Sequence, residues 1–220
     1  MSDASLASDA ERMDRHYHFQ RHVYDASRTW FLIGRQPLVR ELRPAPGQSV
    51  LEVGCGTAWN LARAATLYPE CRLFGVDVSS AMLQTAKASL ARRGLAGRIV
   101  LAQGDAARFD AEALTGLARF DRVFISYALS MIPCWREALL HAAGLIAPGG
   151  ELHIVDFGQC EGWPVPLRSG LMAFLRRHEV TPRADLEAAC RSVAGAHSLG
   201  LSVDRRHGGY VEHVRLCRKN

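Results

Sequence analysis

The stretch "LEVGCGTAWN", residues 51–60, decides the fold that this sequence predicts. Its apolar start, ending in Glu52 and Val53, is typical of a buried β-strand, and the residues after the loop are typical of a helix. Gly54 and Gly56 free the backbone for a tight turn and leave it bare of side chains. A strand that ends in Gly-x-Gly brings that backbone close to a ligand. The stretch therefore predicts a binding loop at the carboxyl end of a strand.

Three ligands compete for this loop. A phosphate loop needs Gly-Lys before Ser or Thr, and the chain contains no Gly-Lys pair. A dinucleotide fingerprint needs a small residue at its sixth position, where this chain has the bulky Trp59. A loop that cradles the amino-acid end of S-adenosylmethionine needs glycines but has no pyrophosphate to accommodate. The sequence favours this third ligand.

Acidic residues at three successive strand ends support the same ligand. Glu52 precedes the loop, Asp77 ends "GVD", and Asp105 follows the next strand in "QGDA". Open α/β sheets bind ligands at the carboxyl ends of their strands. Glu52 is placed to accept from an ammonium group, Asp77 from both ribose hydroxyls, and Asp105 from the adenine amino group. The predicted cofactor contacts are Glu52, Gly54, Cys55, Gly56, Asp77, Val78, Met82, Gly104, Asp105 and Ala106.

Strand and helix patterns alternate after the break "RPAPGQ" at residues 43–48. Alternation of this kind predicts a parallel sheet with helices on both faces. The last runs, "AHSLGLSV" and "GYVEHVRLCR", flank "DRRHGG" and predict a hairpin. We expect an α/β fold with a Rossmann-like, seven-stranded, mostly parallel sheet that ends in an antiparallel hairpin. Residues 1–46 are expected to form an N-terminal helical lid, and 47–220 the main domain.

With the glycine loop and the three acids in this order, residues 47–157 resemble the class I S-adenosylmethionine-dependent methyltransferases. The resemblance implies S-adenosylmethionine as cofactor and S-adenosylhomocysteine as product. Ala58 stands where the family commonly has a third glycine. Alanine is small enough that we expect a tight but working pocket.

The segment "FQRHVYDASRTWFLIGR", residues 19–35, carries a second and narrower resemblance. Its Tyr-Asp-x-x-Arg block and the downstream Gly34-Arg35 are similar to those of bacterial diacylglycerylhomoserine N-methyltransferases. This resemblance implies that the substrate is a membrane lipid, whose headgroup amine is trimethylated to a betaine. Most apolar residues of the segment are equally expected to pack an amphipathic helix on the core.

An amine acceptor of this kind makes specific demands on side chains. Aromatic faces attract a methylated ammonium group, and an arginine fork matches a carboxylate. The nitrogen must also lose its proton, for which Asp25, Tyr24, Tyr127, His153 and Asp156 are candidate acceptors. We therefore predict Tyr24, Arg28 and Tyr127 as catalytic residues, and Tyr17, Trp30, Arg35, His153 and Asp156 as substrate-binding residues.

Composition bounds the remaining possibilities. The net charge of +5 fits an ordinary surface or weak attraction to anionic lipid, and six scattered cysteines without C-x-x-C predict reduced thiols and no metal site. Neither a signal h-region nor an apolar run of about 18 residues occurs, so we expect a cytoplasmic protein, peripheral at the inner face of the membrane.

The enzyme that makes diacylglycerylhomoserine is an expected partner; nucleic acid is not. A phospholipid or quinone methyltransferase, or a non-catalytic S-adenosylmethionine- or RNA-binding protein, remains the alternative.

Overall fold

The structure is a computed structural model that describes residues 31–219. Its strands are β1 (Ser49–Val53), β2 (Arg72–Asp77), β3 (Ile99–Gln103), β4 (Phe120–Ser126), β5 (Ile146–Phe157), β6 (Leu199–Arg206) and β7 (Val211–Arg218). Its helices are α1 (Arg35–Glu41), α2 (Trp59–Leu67), α3 (Ser80–Arg92), α4 (Ala111–Thr115), α5 (Trp135–Gly144), α6 (Val165–Arg177) and α7 (Leu186–His197).

The seven strands form one sheet in the order β3-β2-β1-β4-β5-β7-β6. Strands β1 to β5 pair in parallel, whereas β7 pairs antiparallel with both β5 and β6. The order reverses at β1, beside which β4 begins the second half of the sheet. This confirms the predicted fold, including the antiparallel hairpin.

Two apolar layers cover the sheet because side chains alternate between the faces of each strand. One layer packs helices α1, α2, α3 and α6 against inward residues such as Phe124 and Val155. The other packs α4, α5 and α7 against Val123 and Ile154. Buried strands of this apolar kind are typical of parallel sheets with both faces covered.

Part of the predicted lid packs onto the core. In α1, Leu38 and Val39 are fully buried, and Leu42 behind them is 1% exposed. Tyr68 follows α2 and connects it to α1. Its hydroxyl lies 3.0 Å from the backbone oxygens of both Val39 and Arg40 and donates to them. Residues 1–30 of the predicted lid lie outside the described residues, so the boundary between lid and domain stays a prediction.

Three local expectations differ from the structure. The sequence after β2 predicts a helix with Ser80 as its N-cap, but Ser79 caps α3, by accepting from the Met82 N–H at 3.2 Å. Helix α7 continues to His197, where "AHSLGLSV" was expected to be extended, and ends at Ser198 in the left-handed region. The short helix α4, capped by Asp110, was not predicted. Within residues 31–219, the structure has no helix that is long and apolar enough to cross a membrane.

Candidate functional site

The glycine loop joins β1 to α2 in a backbone conformation that its sequence permits. Gly54, Gly56 and Ala58 all have φ between 52° and 73°, the left-handed region that glycine adopts without strain. The N–H groups of Gly54 and Cys55 both donate to the Val76 carbonyl, at 2.8 and 3.0 Å. These bonds fix the loop to the end of β2. Cys55 is buried, and burial raises the pKa of its thiol, so this side chain supports the loop as a neutral group.

Asp77 links the loop to the next helix. Its Oδ2 accepts from the Gly56 N–H at 2.7 Å, and its Oδ1 accepts from the Ser79 N–H at 2.9 Å. The carboxylate therefore orients both walls of a cleft between β1 and β2. A carboxylate oxygen can accept more than one hydrogen bond, which is the requirement for binding ribose hydroxyls.

Glu52 is a buried acid beside the glycine loop. Its side chain is 1% exposed, and its Oε1 accepts from Asn60 Nδ2 at 2.5 Å. Among the described residues, Oε2 has no hydrogen-bond partner. Burial raises the pKa of Glu52 to about 8, although the bond from Asn60 and the charge of Arg35 act to lower it. A buried oxygen without a donor is costly unless a ligand supplies one.

Arg35 extends this arrangement outward. Its Nε donates to Asn60 Oδ1 at 3.0 Å, and its guanidinium carbon lies 4.5 Å from the centre of the Trp59 ring. Asn60 thus connects a buried acid to an arginine that is partly exposed. Together, Glu52 and Arg35 offer a negative and a positive partner on either side of one amide, which suits an amino-acid group that carries both charges.

The residues after β3 form the side of the cleft where the sequence predicts the contact with the adenine amino group. The Gly104 N–H donates to the Asp77 carbonyl at 3.0 Å, and a side chain at Gly104 would clash with Phe109 Cβ at 2.8 Å. Asp105 is partly exposed; it accepts from the Ala107 N–H at 3.0 Å and pairs with Arg108 at 3.0 Å. Predicted contacts at Val78 and Ala106 flank these residues in sequence. The cofactor residues predicted around the three strand ends are brought together.

Tyr127 follows β4 in the left-handed region, with φ of 53°. Its hydroxyl accepts from the Gly34 N–H at 3.2 Å, and its ring lies 4.7 Å from that of Phe157. Burial raises the pKa of Tyr127 far above neutrality. The side chain is therefore a neutral phenol at physiological pH, which favours an aromatic wall over a proton acceptor.

Asp156 ends β5 beside the loop after β4. It is 1% exposed, and its carboxylate accepts from the backbone N–H groups of Ser130 and Phe157 at 2.9 and 2.8 Å. Burial raises its pKa, while these bonds and the charge of Arg183 act to lower it. Its contacts are those of a side chain that holds the β4–α5 loop in place.

His153 was predicted as a substrate-binding residue, like Asp156, but the structure gives the two side chains different surroundings. The two residues are three apart on one strand, so their side chains leave opposite faces of the sheet. His153 Nε2 lies 2.8 Å from Glu151 Oε2, and its ring stacks on His213 at 5.6 Å. In register it pairs with Phe124, three residues and about 10 Å below Tyr127. Its contacts are those of a buried structural histidine.

Four predicted acceptor-side residues, Tyr17, Tyr24, Arg28 and Trp30, lie outside the described residues. Two residues of the site were not predicted. Asn60 is buried in the first turn of α2 and bonds Glu52, and Ser79 bonds Asp77. A polar residue at a helical position that should face the core was the signal for Asn60. In residues 31–219 no group of three His, Cys, Asp or Glu side chains could hold a metal ion.

Comparisons with known proteins agree with this geometry. Residues 50–150 match the family model described as a methyltransferase domain. The demethylmenaquinone methyltransferase of Geobacillus kaustophilus is 29% identical over 155 residues, which are 70% of this chain and 60% of that protein. This chain therefore spans about 60% of the length of that relative.

Two solved structures show the likeness of fold. Phosphoethanolamine N-methyltransferase 2 of Haemonchus contortus, in complex with S-adenosyl-L-methionine, has a TM-score of 0.67 at 15% identity, over 84% of this chain and 52% of that one. An O-methyltransferase family protein from Burkholderia thailandensis has a TM-score of 0.66 at 20% identity, over 91% and 62% of the two chains. At such identities the likeness concerns the fold alone.

Proposed function

We propose that this protein is a class I S-adenosylmethionine-dependent methyltransferase that methylates the headgroup amine of a membrane lipid; the match of residues 50–150 to the family model described as a methyltransferase domain supports the methyl transfer. The main support for binding of the methyl donor is Glu52, whose buried Oε2 has no hydrogen-bond partner among the described residues. An ammonium group at this oxygen would supply the missing donor and return the acid to its charged form. The amino-acid end of S-adenosylmethionine carries such a group.

The chain can hold every part of this cofactor. Glu52 would bind the α-ammonium group, and Arg35, held by Asn60, would bind the α-carboxylate. Asp77 would accept from the ribose hydroxyls, and Asp105 from the adenine amino group. This assignment moves Arg35 from the acceptor's carboxylate to the cofactor's; its bond to Asn60, which also bonds Glu52, supports the change.

The residues then have simple tasks in the reaction. When bound, the cofactor supplies a sulfonium methyl group, whose C–S bond breaks as the new C–N bond forms. The nitrogen loses one proton before each of three transfers, and the third leaves a quaternary cation. Alignment of the two reactants can account for much of the acceleration. In this proposal Tyr127, a neutral aromatic side chain that follows β4, would face this cation.

Diacylglycerylhomoserine is the acceptor that we propose. Support comes from residues 19–35, whose Tyr-Asp-x-x-Arg block resembles that of the bacterial enzymes acting on this lipid. Within this proposal Tyr24 faces the nitrogen, Arg28 binds the homoserine carboxylate, and residues 1–46 close over the bound cofactor. Peripheral contact with the membrane belongs to the same proposal, since a lipid acceptor resides in the bilayer, as does contact with the enzyme that makes this lipid.

A quinone is the second candidate acceptor. The observation in its favour is the likeness to demethylmenaquinone methyltransferases, at 29% identity over 155 residues. A quinone would be methylated at carbon and would leave the headgroup residues Tyr24 and Arg28 without their roles.

A turnover assay separates these candidates. The purified full chain would be given S-adenosylmethionine and, in matched detergent micelles, diacylglycerylhomoserine, phosphatidylethanolamine or demethylmenaquinone. Mass spectrometry would count the methyl groups added. We expect three on diacylglycerylhomoserine, and loss of turnover without loss of cofactor affinity in Arg28→Gln and Tyr24→Phe. Preference for the quinone, or wild-type turnover in both variants, would refute the lipid acceptor.

A further inference from the structure

The outer side of helix α6 is unusually apolar for a surface helix. Of its 13 residues only Leu175 is buried, and the inward side follows a helical spacing through Leu171 and Met172. Seven large apolar residues of the described chain are exposed, and five of them lie here and on the neighbouring segment before α1. These five, Phe31, Ile33, Val165, Leu167 and Phe174, are between 41% and 72% exposed. We call the surface formed by Phe31, Leu167 and Phe174 the α6 face.

The α6 face is one surface rather than scattered side chains. The rings of Phe31 and Phe174 stack at 5.4 Å, which joins the segment before α1 to the helix. Leu167 stands seven residues before Phe174, about two helical turns and 10 Å along the axis, and so lies on the same side of α6. Val165, nine residues before Phe174, lies on the opposite side of the helix and is not part of this surface. Contiguous exposed apolar surface of this extent marks an interaction site more often than chance exposure.

The charged residues around the α6 face indicate the class of partner. Between Glu161 and Glu179 the chain has no acidic residue, while Arg168, Arg176 and Arg177 are all basic. Arg176 and Arg177 are exposed and occupy the last turn of α6. An apolar helix side with arginines at its edge is the pattern of helices that lie in the interface of an anionic bilayer.

The face also adjoins the acceptor side of the candidate site. The Tyr210 hydroxyl donates to the Phe31 carbonyl at 2.7 Å, and the Tyr210 ring meets that of Phe157 at 5.7 Å. Phe157 in turn packs on Tyr127, at the end of β4. A short chain of aromatic contacts therefore runs from the α6 face to the wall of the site.

We propose that the α6 face docks on an anionic lipid bilayer, and that this docking sets the mouth of the site against the membrane. The proposal rests on the proposed lipid acceptor for its purpose, but its physical basis is the surface itself. It puts the bilayer contact on α6, whereas the sequence predicts it on the basic, aromatic helices of the N-terminal lid.

Flotation of the full chain with vesicles tests the docking directly. Vesicles of phosphatidylcholine alone would be compared with vesicles containing phosphatidylglycerol. We expect binding mainly to the anionic vesicles, falling about tenfold or more for Leu167→Asp, since each buried large apolar side chain contributes strongly. Arg176→Gln with Arg177→Gln should lower binding several-fold, on anionic vesicles alone.

Leu140→Asp is the matched control, because Leu140 is 48% exposed on α5 and lies outside the α6 face. It should bind vesicles as the wild type does. Thermal unfolding and calorimetric binding of S-adenosylmethionine should be unchanged in all these variants, and turnover on micellar acceptor should persist. That separates failed docking from a failed acceptor assignment.

Three results would overturn the docking. The wild type could fail to float with anionic vesicles, as it would if residues 1–30 covered the face in solution. Leu167→Asp could float as well as Leu140→Asp. Sedimentation could instead show a dimer that Leu167→Asp dissociates, which would make the face a contact between two copies of this chain.

Discussion

Strands β1 and β5 each carry a carboxylate near their carboxyl end, in Glu52 and Asp156, and both side chains are 1% exposed. Asp156 receives a backbone N–H on each oxygen, whereas Glu52 receives one amide donor and keeps Oε2 without a partner among the described residues. Equal burial therefore conceals different roles. A satisfied acid organises the fold, and an unsatisfied one has a place for a ligand.

Removing Asp156 should have the largest effect on stability. Asp156→Ala leaves two buried N–H groups without an acceptor, each costing about 1–3 kcal/mol. We expect the free energy of unfolding, measured in denaturant, to fall by about 2–6 kcal/mol. Asp110→Ala, which removes an exposed cap of α4, is the control and should cost about 1 kcal/mol. A similar small loss in both variants would show that the buried bonds of Asp156 do not organise the fold.

Removing the charge of Glu52 should affect binding instead. Glu52→Gln should weaken S-adenosylmethionine binding by about 1.5–3 kcal/mol, the contribution of a hydrogen bond to a charged group. Calorimetry measures this, with the exposed Glu112→Gln on α4 as the control. Unchanged affinity in Glu52→Gln would show that the ammonium group binds elsewhere.

The same contrast predicts how binding and stability depend on pH. Because the pKa of Glu52 is raised to about 8, binding must displace a proton at lower pH. Affinity should rise by up to about tenfold per unit between pH 6 and 7.5, before the ligand's own ammonium group titrates. A raised carboxyl pKa stabilises the free protein below about pH 4.5 and loses that contribution as pH rises toward 8.

Calorimetry in buffers of different ionisation enthalpy would detect the released proton. Glu52→Gln should abolish both this release and the rise in affinity. A pH dependence that persists in the variant would assign it to another group.

The smallest effect should come from Arg35. Arg35→Lys keeps the charge but loses the planar fork and its bond to Asn60. We expect cofactor affinity to fall by about 0.5–1.5 kcal/mol, with little change in kcat at saturating cofactor. A fall in kcat with unchanged cofactor affinity would return Arg35 to the acceptor side.

The sequence predicted strand ends better than it predicted side-chain contacts. The end of β1 at Val53 agrees with expectation, because an apolar run and the glycine turn mark it locally. A polar residue at a core-facing helical position marks Asn60, but the residue that it bonds depends on a contact between α2 and β1, which no local pattern encodes. His153 was predicted as a substrate-binding residue from its strand, whereas its contacts with Glu151 and His213 depend on side chains that the strand pattern does not specify.

The placement of β7 has a consequence for how the chain acquires its structure. This strand is the last of seven in sequence, yet it lies between β5 and β6. Until Val211–Arg218 have been synthesised, the outer edge of β5 has no strand to pair with. The apolar Leu152 and Ile154 then lack their neighbours on β7, Leu216 and Val214. An open apolar edge invites pairing with another chain. The interval between synthesis of β5 and of β7 is therefore when the nascent protein is most exposed to aggregation.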